Sequence, residues 1–210
     1  MRLGIVGMGR IGTAVAQRAR AFGFELSFYD PFLSAGAEKG LGGVLRHTSF
    51  DDLVANSDVL TFHCPLTDTT RGMLNSATLP SSDHPGLFVV NCARGGIAEE
   101  DAILEGLADG RLRGVALDSL STEPQVSTSL LQAQAEGAHL MITPHAAFYS
   151  DEAFVGAPLC LHGVAVTPLL AILHATDTRI FGRACAEMRG LAAREVGRIL
   201  KGERPQYQVN

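Results

Sequence analysis

Short apolar runs rich in β-branched residues recur along the first 150 residues of the chain, with helical patterns between several of them. Residues 3–6, 26–29, 59–63, 87–91, 115–118 and 140–143 read as buried strands. Residues 13–22 place Val15, Ala19 and Phe22 on one helical face. Ser49 is positioned to cap a short helix through 51–55. Residues 98–108 carry Glu99, Glu100 and Asp101 in a first turn, where acidic groups suit the helix dipole, and the pattern stops at Gly110. Residues 119–139 are polar and read as a long loop. Strands alternating with helices mean βαβ units, hence an α/β fold with a Rossmann-like, doubly wound parallel sheet and helices on both faces.

Beyond that region the pattern changes. Residues 155–186 hold only Asp177, Arg179 and Arg183 as charged groups, and 187–200 again read as an amphipathic helix with Met188, Leu191, Ala192, Val196 and Ile199 on one side. The expected organisation is therefore a nucleotide domain over 1–154, an atypical apolar insert over 155–186, and a helix and tail over 187–210. Residues 155–175 approach the length and apolarity of a membrane helix. Pro158, Pro168, His162 and His174 argue against that, so no membrane is expected as a partner.

Composition narrows the class. The chain has 210 residues, 46% hydrophobic and 19% charged, which excludes a disordered chain. Its net charge of −5 and the absence of a Lys/Arg cluster leave direct nucleic-acid binding without an electrostatic basis. Cys64, Cys92, Cys160 and Cys185 form no C-x-x-C and suit neither a zinc site nor a disulfide framework, so no metal is expected and reduced thiols are. The opening MRLGIVGMGR does not read as a signal peptide, and the expected location is cytoplasmic or nuclear.

The first strand runs into Gly7-Met8-Gly9-Arg10-Ile11-Gly12, a G-x-G-x-x-G between a strand and a helix. Gly7 permits the tight turn, Gly9 lets backbone N–H groups approach a pyrophosphate, and Gly12 allows close helix–strand packing. The helix N-terminus adds a positive dipole. Asp30 stands at the end of the second strand, where a carboxylate hydrogen-bonds a ribose 2′-hydroxyl and repels a 2′-phosphate. Pro31 and Phe32 follow it and offer no arginine, which favours NAD over NADP as cofactor.

Ligands of such a sheet sit beyond the carboxyl ends of its strands. Arg94 follows one strand, Asp118 ends the next with Glu123 in the loop behind it, and His145 follows the one after. Arginine there is ordinarily a surface ion-pair partner, and a single histidine a hydrogen-bonded structural residue. Three polar groups on successive strand ends favour a site, in which the guanidinium grips a carboxylate with two donors.

The stretches LGIVGMGRIG, AFGFELSFYDP, HCPLTDTTRGMLN, NCARGGIAEEDAI, GRLRGVALD with STEP, ITPHAAFYSDEAF and EMRGLAAREVGRIL resemble the D-isomer-specific 2-hydroxyacid dehydrogenases, and within them the C-terminal-binding-protein branch of NAD-binding transcriptional corepressors. The resemblance implies that Arg94 binds the substrate carboxylate and polarises its keto group, that His145 is the general acid, and that Glu123 pairs with His145. It implies a cofactor site of Gly7, Gly9, Arg10, Ile11, Gly12, Asp30, Cys64, Pro65, Leu66, Thr67, Thr70, Cys92, Ala93, Asp118, His145 and Ala147. A carboxylate beside an imidazole favours its charged form, as reduction of a keto acid requires. Three residues after His145 the animal corepressors have tryptophan, and this chain has Phe148.

Two departures accompany the resemblance. The family carries a substrate domain of roughly a hundred residues before the first strand, and the sequence begins at that strand, so a nucleotide domain without its substrate domain is expected. The family also passes almost directly from the segment 151–154 to Glu187. Three functional expectations follow: an oxidoreductase acting on a small 2-hydroxy or 2-keto acid, with a homodimer as its assembly; an NAD(H)-sensing corepressor scaffold; and an inactive truncated product.

Overall fold

The computed structural model describes residues 1–145 and Ala147. The predicted helix 187–200, the apolar segment 155–186 and Phe148 lie outside the described residues.

Seven parallel strands form one sheet: β1 (Arg2–Val6), β2 (Glu25–Tyr29), β3 (Leu45–Arg46), β4 (Val59–Phe62), β5 (Leu87–Asn91), β6 (Leu112–Leu117) and β7 (Leu140–Ile142). Their order is β3-β2-β1-β4-β5-β6-β7. The order reverses between β1 and β4, and a crevice opens above the carboxyl ends of the strands at such a point. Every residue of β4 and β5 is buried, which is why those strands are continuous apolar runs rather than alternating ones. Phe28, Phe62, Phe88, Leu3, Ile5 and Leu60 are among the fully buried side chains that fill the sheet's two faces.

Among the described residues, four helices cover the sheet: α1 (Arg10–Ala21), α2 (Phe50–Ala55), α3 (Glu100–Asp109) and α4 (Thr128–Ala135). α1 turns Val15, Ala16 and Ala19 inward. Ser49 caps α2 by accepting the Asp52 N–H at 3.1 Å, as its position in the sequence predicts. α3 opens with Glu100 and Asp101 and ends on Gly110 in the left-handed conformation.

Three elements differ from the sequence expectation. Residues 119–139 are not a continuous loop, because they contain α4, capped by Ser127, whose hydroxyl accepts the Leu130 N–H. Only Leu130 of that helix is buried, so its apolar stripe is too thin to register as a period. β3 is a two-residue edge strand, shorter than any hydrophobic pattern can reveal. A 3₁₀ turn, Ala37–Leu41, precedes it and buries nothing.

Candidate functional site

The site starts where β1 meets α1. Gly7 turns the chain at φ 88°, and its N–H donates to the Tyr29 carbonyl of β2 at 2.9 Å. Gly12 lies against the Gly7 carbonyl with no room for a Cβ, which presses the loop onto the first helical turn. Gly9 is the N-cap of α1, without a side-chain capping bond, and no acidic residue stands in the first turn. The first N–H groups of a helix need acceptors from outside it. Gly9, Arg10 and Ile11 are exposed, and a Cβ on Gly9 would meet nothing within 4 Å. An uncapped, open helix start of this kind fits the diphosphate of a dinucleotide.

Asp30 ties this loop to the end of β2. One carboxylate oxygen accepts the Met8 N–H at 2.8 Å, and the other accepts the N–H groups of Phe32 at 2.9 Å and Leu33 at 3.1 Å. The loop after β4 is ordered by Thr70, whose buried hydroxyl accepts the Thr67 N–H at 2.7 Å and donates to the Pro65 carbonyl at 2.6 Å. Burial pushes the Cys64 thiol up to about 11, with the nearby Asp30 carboxylate adding to the shift. Burial also pushes Cys92, beside Asp118, up to about 12. Both thiols are therefore protonated at neutral pH and serve as small apolar groups of the wall. Desolvation lowers the His63 imidazole to about 4; its Nε2 lies 3.0 Å from the Thr61 hydroxyl.

The second half of the site is built on β5, β6 and β7. Asn91 closes β5 as a buried polar residue. Its amide accepts the Ala93 N–H at 3.0 Å and donates to the Arg94 carbonyl at 2.9 Å, clamping the turn that carries Arg94. The Arg94 guanidinium is exposed and folds onto the Ala93 carbonyl at 2.7 Å. Gly95 rests directly on the backbone of Leu120 and Ser121, a contact that admits no side chain. The Arg94 turn and the Glu123 loop are thereby joined.

Within that loop Glu123 accepts the Leu120 N–H at 2.6 Å on one oxygen and faces His145 Nδ1 at 2.7 Å with the other. Partial burial works against the Glu123 charge. The hydrogen bonds from His145 and Leu120, with the charges of His145 and Arg94, outweigh that and hold its carboxyl below the ordinary range. His145 has φ 51°, and its N–H returns to the Thr143 carbonyl at 2.9 Å. Thr143 in turn donates its hydroxyl to the buried Asp118 carboxylate at 2.5 Å.

Arg94, Glu123 and His145 thus converge, from loops behind three successive strands. Gly7, Gly9, Arg10, Ile11, Gly12 and Asp30 lie around the opening turn, with Gly9, Arg10 and Ile11 exposed and Gly7 and Gly12 buried, and Cys92, Ala93 and Asp118 lie at the tips of β5 and β6. Asn91, Thr143 and the Met8 N–H were not singled out from the sequence. Asn91 carried a usable signal, a polar residue ending the apolar run LFVVN. Among the described residues, no group of three His, Cys, Asp or Glu side chains could hold a metal ion, and no helix is long and apolar enough to cross a membrane.

The family model for the D-isomer specific 2-hydroxyacid dehydrogenase NAD binding domain matches residues 1–147. D-3-phosphoglycerate dehydrogenase of Bacillus subtilis (strain 168) is 41% identical over 151 residues, covering 72% of this chain and 27% of that protein. The apo structure of Rhodotorula graminis D-mandelate dehydrogenase is similar at a TM-score of 0.65 and 33% identity, over 73% of this chain and 44% of that one. A glyoxylate reductase from Paecilomyes thermophila is similar at a TM-score of 0.62 and 35% identity, over 72% and 44%. The chain spans about a quarter of the length of the curated relatives most similar to it here.

Proposed function

This chain belongs to the D-isomer-specific 2-hydroxyacid dehydrogenases, as their NAD-binding domain, and on that footing we propose that it serves hydride transfer between NAD(H) and a small 2-hydroxy or 2-keto acid. The observation that carries the reading is the pairing of His145 Nδ1 with Glu123 at 2.7 Å, beside a loop that presents an arginine.

The open start of α1 would hold the diphosphate of the nucleotide, Asp30 would hold its adenosine ribose, and the loops after β4, β5 and β6 would line the remainder. Bound NADH supplies the hydride. Arg94 exchanges the Ala93 carbonyl for the carboxylate of the acid, which its two-pronged donor geometry matches. His145 is held through Nδ1, so Nε2 is the nitrogen that delivers a proton to the carbonyl oxygen as the carbon is reduced. Glu123 fixes the ring and balances the positive charge the imidazole carries before transfer. In the reverse direction the neutral ring accepts the hydroxyl proton.

The test is NADH oxidation by the purified chain with a panel of small 2-keto acids. Turnover is expected with at least one of them, and His145→Ala is expected to reduce it by a factor of about 10²–10⁴. A chain that binds NADH and turns over no member of the panel overturns the enzymatic reading.

A second reading, the NAD(H)-responsive scaffold of the C-terminal-binding-protein branch, rests on the sequence resemblance as a whole, from which Phe148 departs. It expects partner assembly as the output. Light scattering with and without NADH separates the two: the scaffold changes its mass on NADH binding, whereas the enzyme, as a homodimer, keeps it.

A further inference from the structure

The turn that carries Asp30 is held from two sides. On the inside, the Asp30 carboxylate collects the N–H groups of Met8, Phe32 and Leu33. On the outside stands Arg46, sixteen residues further along and on the edge strand β3. Its Nη2 donates to the carbonyls of both Asp30 and Leu33, each at 2.9 Å. Leu33 therefore gives its N–H to Asp30 and its carbonyl to Arg46. The guanidinium is set in place by Glu38, 3.7 Å from Nη1, and by the Phe28 ring, 5.9 Å from Cζ.

β3 has only two residues, and its ladder to β2 pairs Ser27 with Leu45 and Phe28 with Arg46. So short an edge strand contributes little backbone restraint to the turn beyond β2. The Arg46 side chain supplies it, and it binds the carbonyl side of the turn while the carboxylate takes donors on the other side. The negative charge of Asp30 remains available to a ribose instead of being consumed by an internal ion pair.

We propose that Arg46 is a positioning residue for the nucleotide site, one that fixes the Asp30 turn and thereby sets affinity for the adenosine half of the cofactor. The proposal rests on NAD binding at the glycine loop. Arg46 touches neither the cofactor's phosphates nor its nicotinamide in this scheme and acts only through Asp30. It is specific in what it forbids. Removing Arg46 must leave the nicotinamide half untouched, and it must cost nothing further once the Asp30 carboxylate is gone.

Calorimetric titration of the full chain tests this with three ligands: NADH, ADP-ribose and reduced nicotinamide mononucleotide. Arg46→Met is expected to weaken NADH and ADP-ribose by about tenfold, the size of one or two lost hydrogen bonds to a charged group. Reduced nicotinamide mononucleotide should bind as before. Asp30→Ala is expected to weaken the same two ligands, and Arg46→Met on that background should change them by less than about twofold, since coupled sites are not additive. Arg46→Lys, which keeps the charge and can reach one carbonyl, should fall between parent and Arg46→Met, and it carries the test if the methionine variant does not fold. Equal losses for all three ligands, independent losses in the double variant, or parent-like affinity of Arg46→Met each overturn the proposal while leaving NAD binding in place. A parent chain that binds neither NADH nor ADP-ribose overturns the nucleotide reading itself and the role of Arg46 with it.

Discussion

Gly95 and Leu120 meet backbone to backbone, at a separation that leaves no space for a single methyl group. One belongs to the turn behind β5 that carries Arg94, the other to the loop behind β6 that carries Glu123. The two loops can cooperate only while this contact holds. Gly95→Ala is therefore expected to displace Arg94 from Glu123 and to destabilise the fold by about 1–3 kcal/mol, the usual cost of overpacking. Turnover should fall at least tenfold, with NADH affinity falling less because the glycine loop and the Asp30 turn are built on β1 and β2 rather than on β5 and β6. Steady-state kinetics with urea denaturation checks it, and unchanged turnover in a folded variant would contradict the coupling.

Asn91 plays a related part from beneath. Its amide satisfies one donor and one acceptor of the turn that follows β5. Asn91→Ala removes both of these part-buried bonds, which at about 0.5–1.5 kcal/mol each should cost about 1–3 kcal/mol in chemical denaturation. The release of Arg94 should also raise KM for the keto acid. A variant that loses stability with an unchanged KM would mean that the Asn91 amide does not position Arg94.

Acid should unfold the chain partly through His63. Desolvation of this half-buried imidazole lowers it to about 4 in the folded state, against 6.5 ordinarily. Between these values the unfolded chain binds a proton that the folded chain refuses, so stability is complete above about pH 6.5 and declines as pH falls toward 4. The contribution lost over that window is roughly 2–3 kcal/mol. Urea midpoints at pH 7.5 and pH 4.5 should differ accordingly, and His63→Gln should narrow the difference. An equally steep acid dependence in His63→Gln would exclude the assignment.

Cys64 and Cys92 should be unreactive. With thiols raised to about 11 and about 12, almost no thiolate is present near neutrality. Peptide mapping after treatment with iodoacetamide at pH 8 should find both unmodified in the folded chain and both labelled in urea. Rapid labelling of either without denaturant would show that its burial is relieved in solution.

The sequence makes the opening turn legible because its requirements are local. A glycine needed for a left-handed turn, another where helix and carbonyl touch, and a carboxylate at a strand end all appear within thirty residues. The apolar strands are equally legible, since burial on both faces leaves an uninterrupted run. α4 and β3 are not, because one buried leucine and two edge residues generate no period.

The chemistry of the site divides in the same way. Residue types, spacing and the family resemblance were enough to nominate Arg94, Glu123, His145 and Asp30 as candidates. The sheet order, with its reversal between β1 and β4, decided which strand ends face one crevice. The Gly95–Leu120 contact brought two loops together, and Arg46 reached the Asp30 turn from a strand sixteen residues away. Hydrogen bonds and close contacts of that kind depend on where distant segments of chain are brought together in space. A one-dimensional pattern records which face of an element is buried, but not what it is buried against.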